Sequence, residues 1–462
     1  MNAKMKSRIP HILLFGFTLL FLNQCERVVD GLEPPPFPSN PEIFIDGFSG
    51  GLNYAAFGGS VPTAFQVDNE TTYGNSKASM RFEVPDVNDS RGTYAGGTFF
   101  TASPRDLSQY DALTFWAKST QATSLDIVGF GNDLGENRYQ ASVPNLDVNT
   151  NWKKYIIPIP SAARLTAERG MFFYSVGPKD GKGFTFWIDE VKYEKLGTIA
   201  HPLPAIMNGE NQVVNSFAGV STSIVGLQSV HNLPNGTNLA VDVTPNYFQF
   251  STSNSAVATV DAAGRVSIVG GPANAVITAK LGNQEAKGSL TIQSRGQYVN
   301  APTPTRLPNR VISLFSDAYQ NVPVDYYNGY WAPFQTTQSA DFRVGNDNVL
   351  HYTNFNFVGI QFSSPTINAT SMTHLHVDIF LPNPLSANAR LKFEMVNSGS
   401  GGTGAFTRTI VPSDAQKWIS LDIPLTSFAG LTNRSNLFQL IFVSDSGNIP
   451  SIYVDNVYFY QQ

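Results

Sequence analysis

Apolar and polar residues alternate along much of this chain with the period of two that marks half-buried strands. In Leu113-Thr-Phe-Trp-Ala-Lys118, Leu113, Phe115 and Ala117 fall on one face, and Thr114, Trp116 and Lys118 on the other. A sandwich strand has one core face, so Trp116 is a candidate for an exposed binding surface. Trp152-Lys-Lys-Tyr-Ile-Ile-Pro158 opens on a tryptophan and stops at proline, which cannot donate to a central ladder.

Three strand signatures occur twice, in the same order. Asp106 to Trp116 pairs with Asn368 to Asp378, placing Leu375 and Val377 where Leu113 and Phe115 stand. Trp152 to Ile159 pairs with Trp418 to Leu425, and Ile188-Asp-Glu-Val-Lys-Tyr193 with Val454-Asp-Asn-Val-Tyr-Phe459. The second and third signatures are 36 residues apart in both copies, from Trp152 to Ile188 and from Trp418 to Val454. Tyr94-Ala-Gly-Gly-Thr-Phe99 and Phe357-Val-Gly-Ile-Gln-Phe362 add a weaker match. An internal duplication follows. The reading is all-β: two β-sandwich jelly rolls at 43–196 and 308–462, flanking an immunoglobulin-like β-sandwich at 197–297. Trp152, Trp187 and Trp418 are read as core.

Composition agrees. With 38 Gly, 29 Pro and 14% charged residues, the chain is turn-rich, and a net charge of −5 without a basic run excludes nucleic acid as partner. The first residues look like an export signal over 1–24: Lys4, Lys6 and Arg8, then an apolar core from Ile12 to Phe21. That core is shorter than the ~20 residues of a spanning helix. Cys25, the only cysteine, follows Leu22-Asn-Gln24, which resembles a bacterial lipobox with Gln24 in place of a small residue. The resemblance implies lipidation at Cys25, anchoring on the outer membrane at the cell surface. Acyl chains contribute ~0.8 kcal/mol per buried methylene. Residues 25–42, with Glu33-Pro-Pro-Pro-Phe-Pro38, read as a stalk.

In the middle segment Ser253-Asn254, Val257-Ala-Thr-Val260, Gly264-Arg-Val266 and Ile277-Thr-Ala279 resemble the group 2 bacterial immunoglobulin-like family, which implies a spacer. The duplicated signatures resemble galactose-binding-like jelly rolls, nearest to carbohydrate-binding modules of the family 11 type. The C-terminal copy, with Leu314-Phe-Ser-Asp317 and Tyr453-Val-Asp455, is similar to modules of glycan-degrading proteins of the Bacteroidota. This resemblance implies a polysaccharide partner, with laminarin or another β-glucan expected first, and an outer-membrane glycan transporter complex as a further partner. It also implies a structural calcium at Asp46 with Asp189, and at Asp317 with Asp455 and Asn321. Each aspartate has the alternative role of capping a turn.

A pyranose offers C–H groups to an aromatic ring and hydroxyls to amides and carboxylates. The densest candidate is Tyr326-Tyr327-Asn-Gly-Tyr330-Trp331, which lacks strict alternation and reads as a loop, or as rings packed over a sandwich edge. His351, Asn356 and Gln361 are expected near it. Asp378, with His376 on its face, stands where the first copy has Trp116, so that face is a second candidate. No paired-carboxylate or zinc-protease pattern is present, so the chain reads as non-catalytic. The alternatives are a surface adhesin and a glycoside hydrolase with an unrecognised acid pair.

Overall fold

The computed structural model describes residues 37–462, apart from positions 201, 330, 345, 400 and 446. The signal, Cys25 and most of the stalk therefore lie outside the described residues, as does Tyr330. The regular structure of the described chain is β-strand, apart from a few single-turn 3₁₀ helices.

Two sheets stack in the N-terminal region. One runs in the order Phe65–Asp68, Ser79–Val84, Phe184–Glu194, Ala112–Ser119, Lys153–Pro158, with Glu42–Phe44 also on Phe184–Glu194. The other contains Leu52–Ala56, Ala95–Arg105, Glu168–Val176, Thr123–Phe130 and Ala141–Val148. Alternation drives Phe82, Phe115, Phe186, Phe99 and Phe172 between the two sheets, each at most 1% exposed. Burying such a ring contributes roughly 1.5–3 kcal/mol.

The second sheet does not stop at residue 196. Ala141–Val148 pairs with Asn238–Val243, through Asp242 opposite Ser142 and Val243 opposite Ala141, and the ladder continues to Gln228–Asn232 and Leu203–Ala205. Tyr247 is 1% exposed and donates its hydroxyl to the carbonyl of Tyr139 at 2.8 Å. The middle segment is thus joined to the N-terminal region by strand pairing and by core. Its remaining strands form a five-stranded sheet, including a parallel pair between Asn211–Ala218 and Ser289–Gln297, and a three-stranded sheet.

The C-terminal region again stacks two sheets. The six-stranded sheet runs Gln338–Val344, Asp347–Thr353, Ser451–Tyr460, His374–Phe380, Trp418–Pro424, with Val311–Phe315 on Ser451–Tyr460. The facing sheet runs Tyr326–Gly329, Phe357–Gln361, Leu437–Ser444, Ala389–Asn397, Thr403–Ile410. His374–Phe380 lies between Ser451–Tyr460 and Trp418–Pro424, as Ala112–Ser119 lies between Phe184–Glu194 and Lys153–Pro158. A bulge recurs as well: Glu190 and Asn456 have φ of 47° and 50°. The preceding aspartate accepts the N–H of each, Asp189 Oδ1 from Glu190 at 2.7 Å and Asp455 Oδ1 from Asn456 at 2.6 Å. A carboxylate is the natural acceptor for an amide that a bulge removes from its ladder.

The segment from Tyr298 to Arg306 is laid over the outer face of the C-terminal six-stranded sheet. Trp418 Nε1 donates to Val299 O at 2.6 Å, Asn456 Nδ2 to Pro302 O at 3.1 Å, and the Arg306 guanidinium sits 4.3 Å above the Tyr460 ring. Phe217 of the middle segment packs with Phe380 and Tyr453 at the same face.

Candidate functional site

The linker covers one outer face of the C-terminal region; the outer face of the five-stranded sheet carries a different surface. In Phe357–Gln361 alternation sends Val358 and Ile360 into the core, both 0% exposed, and turns Phe357, Gly359 and Gln361 outward. A β-carbon on Gly359 would lie 2.3 Å from Trp331 Cη2 and 3.4 Å from Gln439 Nε2. Only glycine lets the indole cross the strand at that height. Phe357 lies beside it, with ring centroids 5.9 Å apart. Tyr326 is 36% exposed and bonds its hydroxyl to Gln361 Oε1, while Phe334 is 75% exposed on the adjoining loop. The result is an aromatic surface edged by the side-chain amide of Gln361, with Gln439 buried beside it.

The loop that carries Trp331 is tied down. Asn356 Oδ1 accepts from Thr336 N at 2.9 Å, and its Nδ2 donates to Phe334 O at 2.8 Å. Gln335 Nε2 donates to Asn328 Oδ1 at 2.6 Å. Asn356 is therefore a positioning residue whose polar atoms are already engaged, not a free donor for ligand.

The N-terminal region repeats the device at the matched position. A β-carbon on Gly96 would lie 2.5 Å from Tyr94 Cε2 and 3.3 Å from Phe57 Cδ2. The Tyr94 hydroxyl donates to Gly58 O at 3.0 Å. On the opposite outer face Trp116 stacks on Tyr73, centroids 3.8 Å apart, and Trp152 meets Tyr73 edge-on at 6.1 Å. Trp152 is thus a half-buried member of a surface aromatic group and not core, because its strand turns Tyr155 and Ile157 inward instead. Trp187 is also half-buried on that face, its Nε1 donating to Asp68 at 2.7 Å with Lys118 over the ring. Trp418 sits half-buried under the linker.

Several expected site residues are placed elsewhere. Tyr327 points inward, its hydroxyl donating to Leu314 O at 2.9 Å. His351 belongs to the other sheet, stacked on Tyr453 at 4.0 Å, where burial and then Arg295 push its pKa down to about 4. Asp378 is fully buried, accepting from Asn456 Nδ2 at 2.8 Å and from the Ser420 hydroxyl at 2.5 Å, so it is no exposed, changeable surface. The sequence pairing with Trp116 holds, but the linker that closes over Asp378 could not be read from the strand. His376 bonds Asp422 at 2.8 Å. Burial opposes its charge, but the bonds to Asp378 and Asp422 outweigh it and hold the pKa above the ordinary value. Of the ten expected ligand-binding positions, Tyr326, Trp331 and Gln361 come together, with Asn356 behind them. Phe334, Phe357 and Gln439 were not anticipated; a glycine inside an alternating strand was the available signal.

Among the described residues no group of three or more His, Cys, Asp or Glu side chains is arranged as metal ligands. Asp46 and Asp189 do converge on the Ser76 hydroxyl, at 2.9 and 3.2 Å. Both are already satisfied by N–H donors, Asp46 by Lys77 at 2.6 Å and Asp189 by Tyr73 at 2.9 Å and by Glu190. The bond from Lys77 N, then that from Ser76, lowers the Asp46 pKa, while burial raises that of Asp189. In the C-terminal region Asp317, Asp347 and Asp455 line a cavity of about 220 Å³ beside Asn300 to Pro304. Asp317 is held by Asn348 N and Nδ2, both at 2.8 Å, and Asn321 instead accepts from Ser313 and Ser316. Burial, then Asp347, Asp317 and Asp378, push Asp455 up to about 7. Carboxylate oxygens are the hard donors that calcium takes, but Asp317 and one oxygen of Asp455 are engaged by N–H groups, as the N-terminal pair is.

Residues 44–195 match the family Carbohydrate binding domain 30, over less than half of the chain. No curated protein matches the chain. Solved structures similar to a portion of it include the family 30 carbohydrate-binding module of the cellulosomal cellulase Cel9D-Cel44B of Clostridium thermocellum. It is 19% identical, with 35% of this chain and 95% of that one covered and a TM-score of 0.23. The family 11 module of the cellulosomal cellulase Lic26A-Cel5E of the same organism is 16% identical, covering 35% of this chain and 97% of its own, with a TM-score of 0.24. A structure of a family 11 module from Clostridium thermocellum in complex with a β-1,3-1,4-mixed-linked tetrasaccharide is 18% identical, covering 27% of this chain and 82% of that one, with a TM-score of 0.21.

Proposed function

We propose that this protein is a non-catalytic glycan-binding lipoprotein of the cell surface, anchored on the outer membrane through Cys25, that captures polysaccharide for a polysaccharide utilisation system and its glycan transporter complex. The observation that carries the reading is the ring laid across a strand glycine, Trp331 on Gly359 and Tyr94 on Gly96. A sugar ring packs on such a surface through its C–H face while its hydroxyls meet a side-chain amide at the edge, here Gln361. The match of residues 44–195 to a carbohydrate-binding family supports the same chemistry for the N-terminal region. Two faces on one chain raise avidity for a repeating polymer by keeping the second site at high effective concentration. Laminarin or another β-glucan is the proposed polymer, and a calcium ion at the Asp317 and Asp455 cavity is the proposed structural metal.

The test is affinity electrophoresis of the protein from Glu26 onward in gels containing laminarin, mixed-linkage glucan, xylan or no polysaccharide, beside Trp331→Ala. Retardation by a β-glucan that weakens in the variant supports the proposal. Equal mobility in every gel refutes it.

A further inference from the structure

A cavity of about 680 Å³ opens where the middle segment meets the C-terminal region. One wall is aromatic: the Trp418 ring is fixed by its bond to Val299 O at 2.6 Å and lies 5.7 Å from the Phe380 ring. Gln293 and Gln416 line the same space. This is again the composition of a sugar site, an apolar platform with amides around it.

Its charge is what sets it apart. The protein carries a net charge of −5, yet among the described residues the charged ones lining this cavity are Arg295 and Lys417, both cations. A neighbouring cavity of about 440 Å³ shares Arg295 and has no acidic lining residue among the described ones either. The Arg295 guanidinium is held from one end, Nη1 donating to the carbonyl of Pro382, while its buried Nε has no partner among the described residues. Lys417 stands exposed beside Trp418.

We propose that this junctional cleft binds an anionic pyranose, carboxylated or sulfated, with its ring against Trp418 and its anionic group held by Arg295 and Lys417. The inference rests on the glycan-binding reading but uses a different surface from the Trp331 face. A neutral sugar would cover the Arg295 and Lys417 charges without neutralising either, whereas a charge-assisted bond to arginine is among the stronger ones available.

Isothermal titration of the protein from Glu26 onward with tetragalacturonate, a sulfated galactan tetrasaccharide and laminaritetraose tests this. At least one anionic oligosaccharide is expected to bind tenfold or more tighter than the neutral one, with the difference shrinking in about 0.5 M NaCl as screening takes hold. Arg295→Gln and Lys417→Gln are each expected to weaken that binding about tenfold. Both leave laminaritetraose binding as it was. Trp331→Ala does the reverse, so failure at one surface is distinguishable from failure at the other. Lys417 is exposed, and its variant keeps the test valid where Arg295→Gln does not fold. Neither anion binding tighter than laminaritetraose, or anion binding unchanged in Lys417→Gln, overturns the proposal.

Discussion

The indole of Trp331 crosses Gly359 so closely that a β-carbon there would come within 2.3 Å of the ring. Neither residue makes a binding surface alone. The strand supplies a gap in its row of side chains, and the loop supplies the ring that fills it. Gly359→Val keeps the strand's backbone demands and adds β-propensity, yet it must lift the indole from the sheet. We expect the variant to fold and to lose β-glucan affinity at least tenfold, about 1.4 kcal/mol, by titration calorimetry. Unchanged affinity would remove Trp331 from the site.

The strand pairing between Asn238–Val243 and Ala141–Val148, with Tyr247 buried behind it, makes one cooperative unit of the N-terminal region and the middle segment. Calorimetry of the whole chain is expected to show these two melting together. Tyr247→Ala opens a cavity at the joint, and large-to-small changes of this kind cost about 3–5 kcal/mol. Two well-separated transitions for residues 43–196 and 197–297 would contradict this.

Glu168 is 7% exposed, and burial, opposed by the N–H groups of Gly170 and Arg169, pushes its carboxyl up to about 7. In the unfolded chain the same carboxyl titrates near its ordinary 4.5. Between these values the folded state holds the proton and the unfolded state does not, so stability falls as pH rises from about 4.5 to 7. The loss from this group is up to about 3 kcal/mol. Denaturant midpoints measured across that range should decline, and Glu168→Gln should flatten the decline.

Calcium at the cavity of Asp317, Asp347 and Asp455 would offset the burial, and then the repulsion between carboxylates, that raise the Asp455 carboxyl. Adding calcium to chelator-treated protein is expected to raise the melting temperature of the C-terminal region, by the mass-action stabilisation of a ligand that binds only the folded state. Asp455→Asn should abolish the rise, and Asp46→Asn should leave it. No response of the unmodified protein to calcium would exclude the ion.

The alternation at Leu113, Phe115 and Ala117 determined the strands and their core face, since burial on one side of a sheet needs only a period of two. The repeated spacing from Trp152 to Ile188 and from Trp418 to Val454 was likewise readable, as was the aromatic cluster at Tyr326 to Trp331. Which outer face stays open was not. Asp378 and Trp116 occupy matched positions, but residues 298–306 close over one and not the other, and a linker's path depends on contacts distant in sequence. Trp418 reads as core beside Ile419 and Leu421 until Val299 and Phe380 are seen to hold it at a junction. Gly359 reads as a weak point in a strand until Trp331 is found lying on it. Local pattern settles what each strand buries against its own partner sheet; tertiary packing decides what arrives from elsewhere to cover the other side.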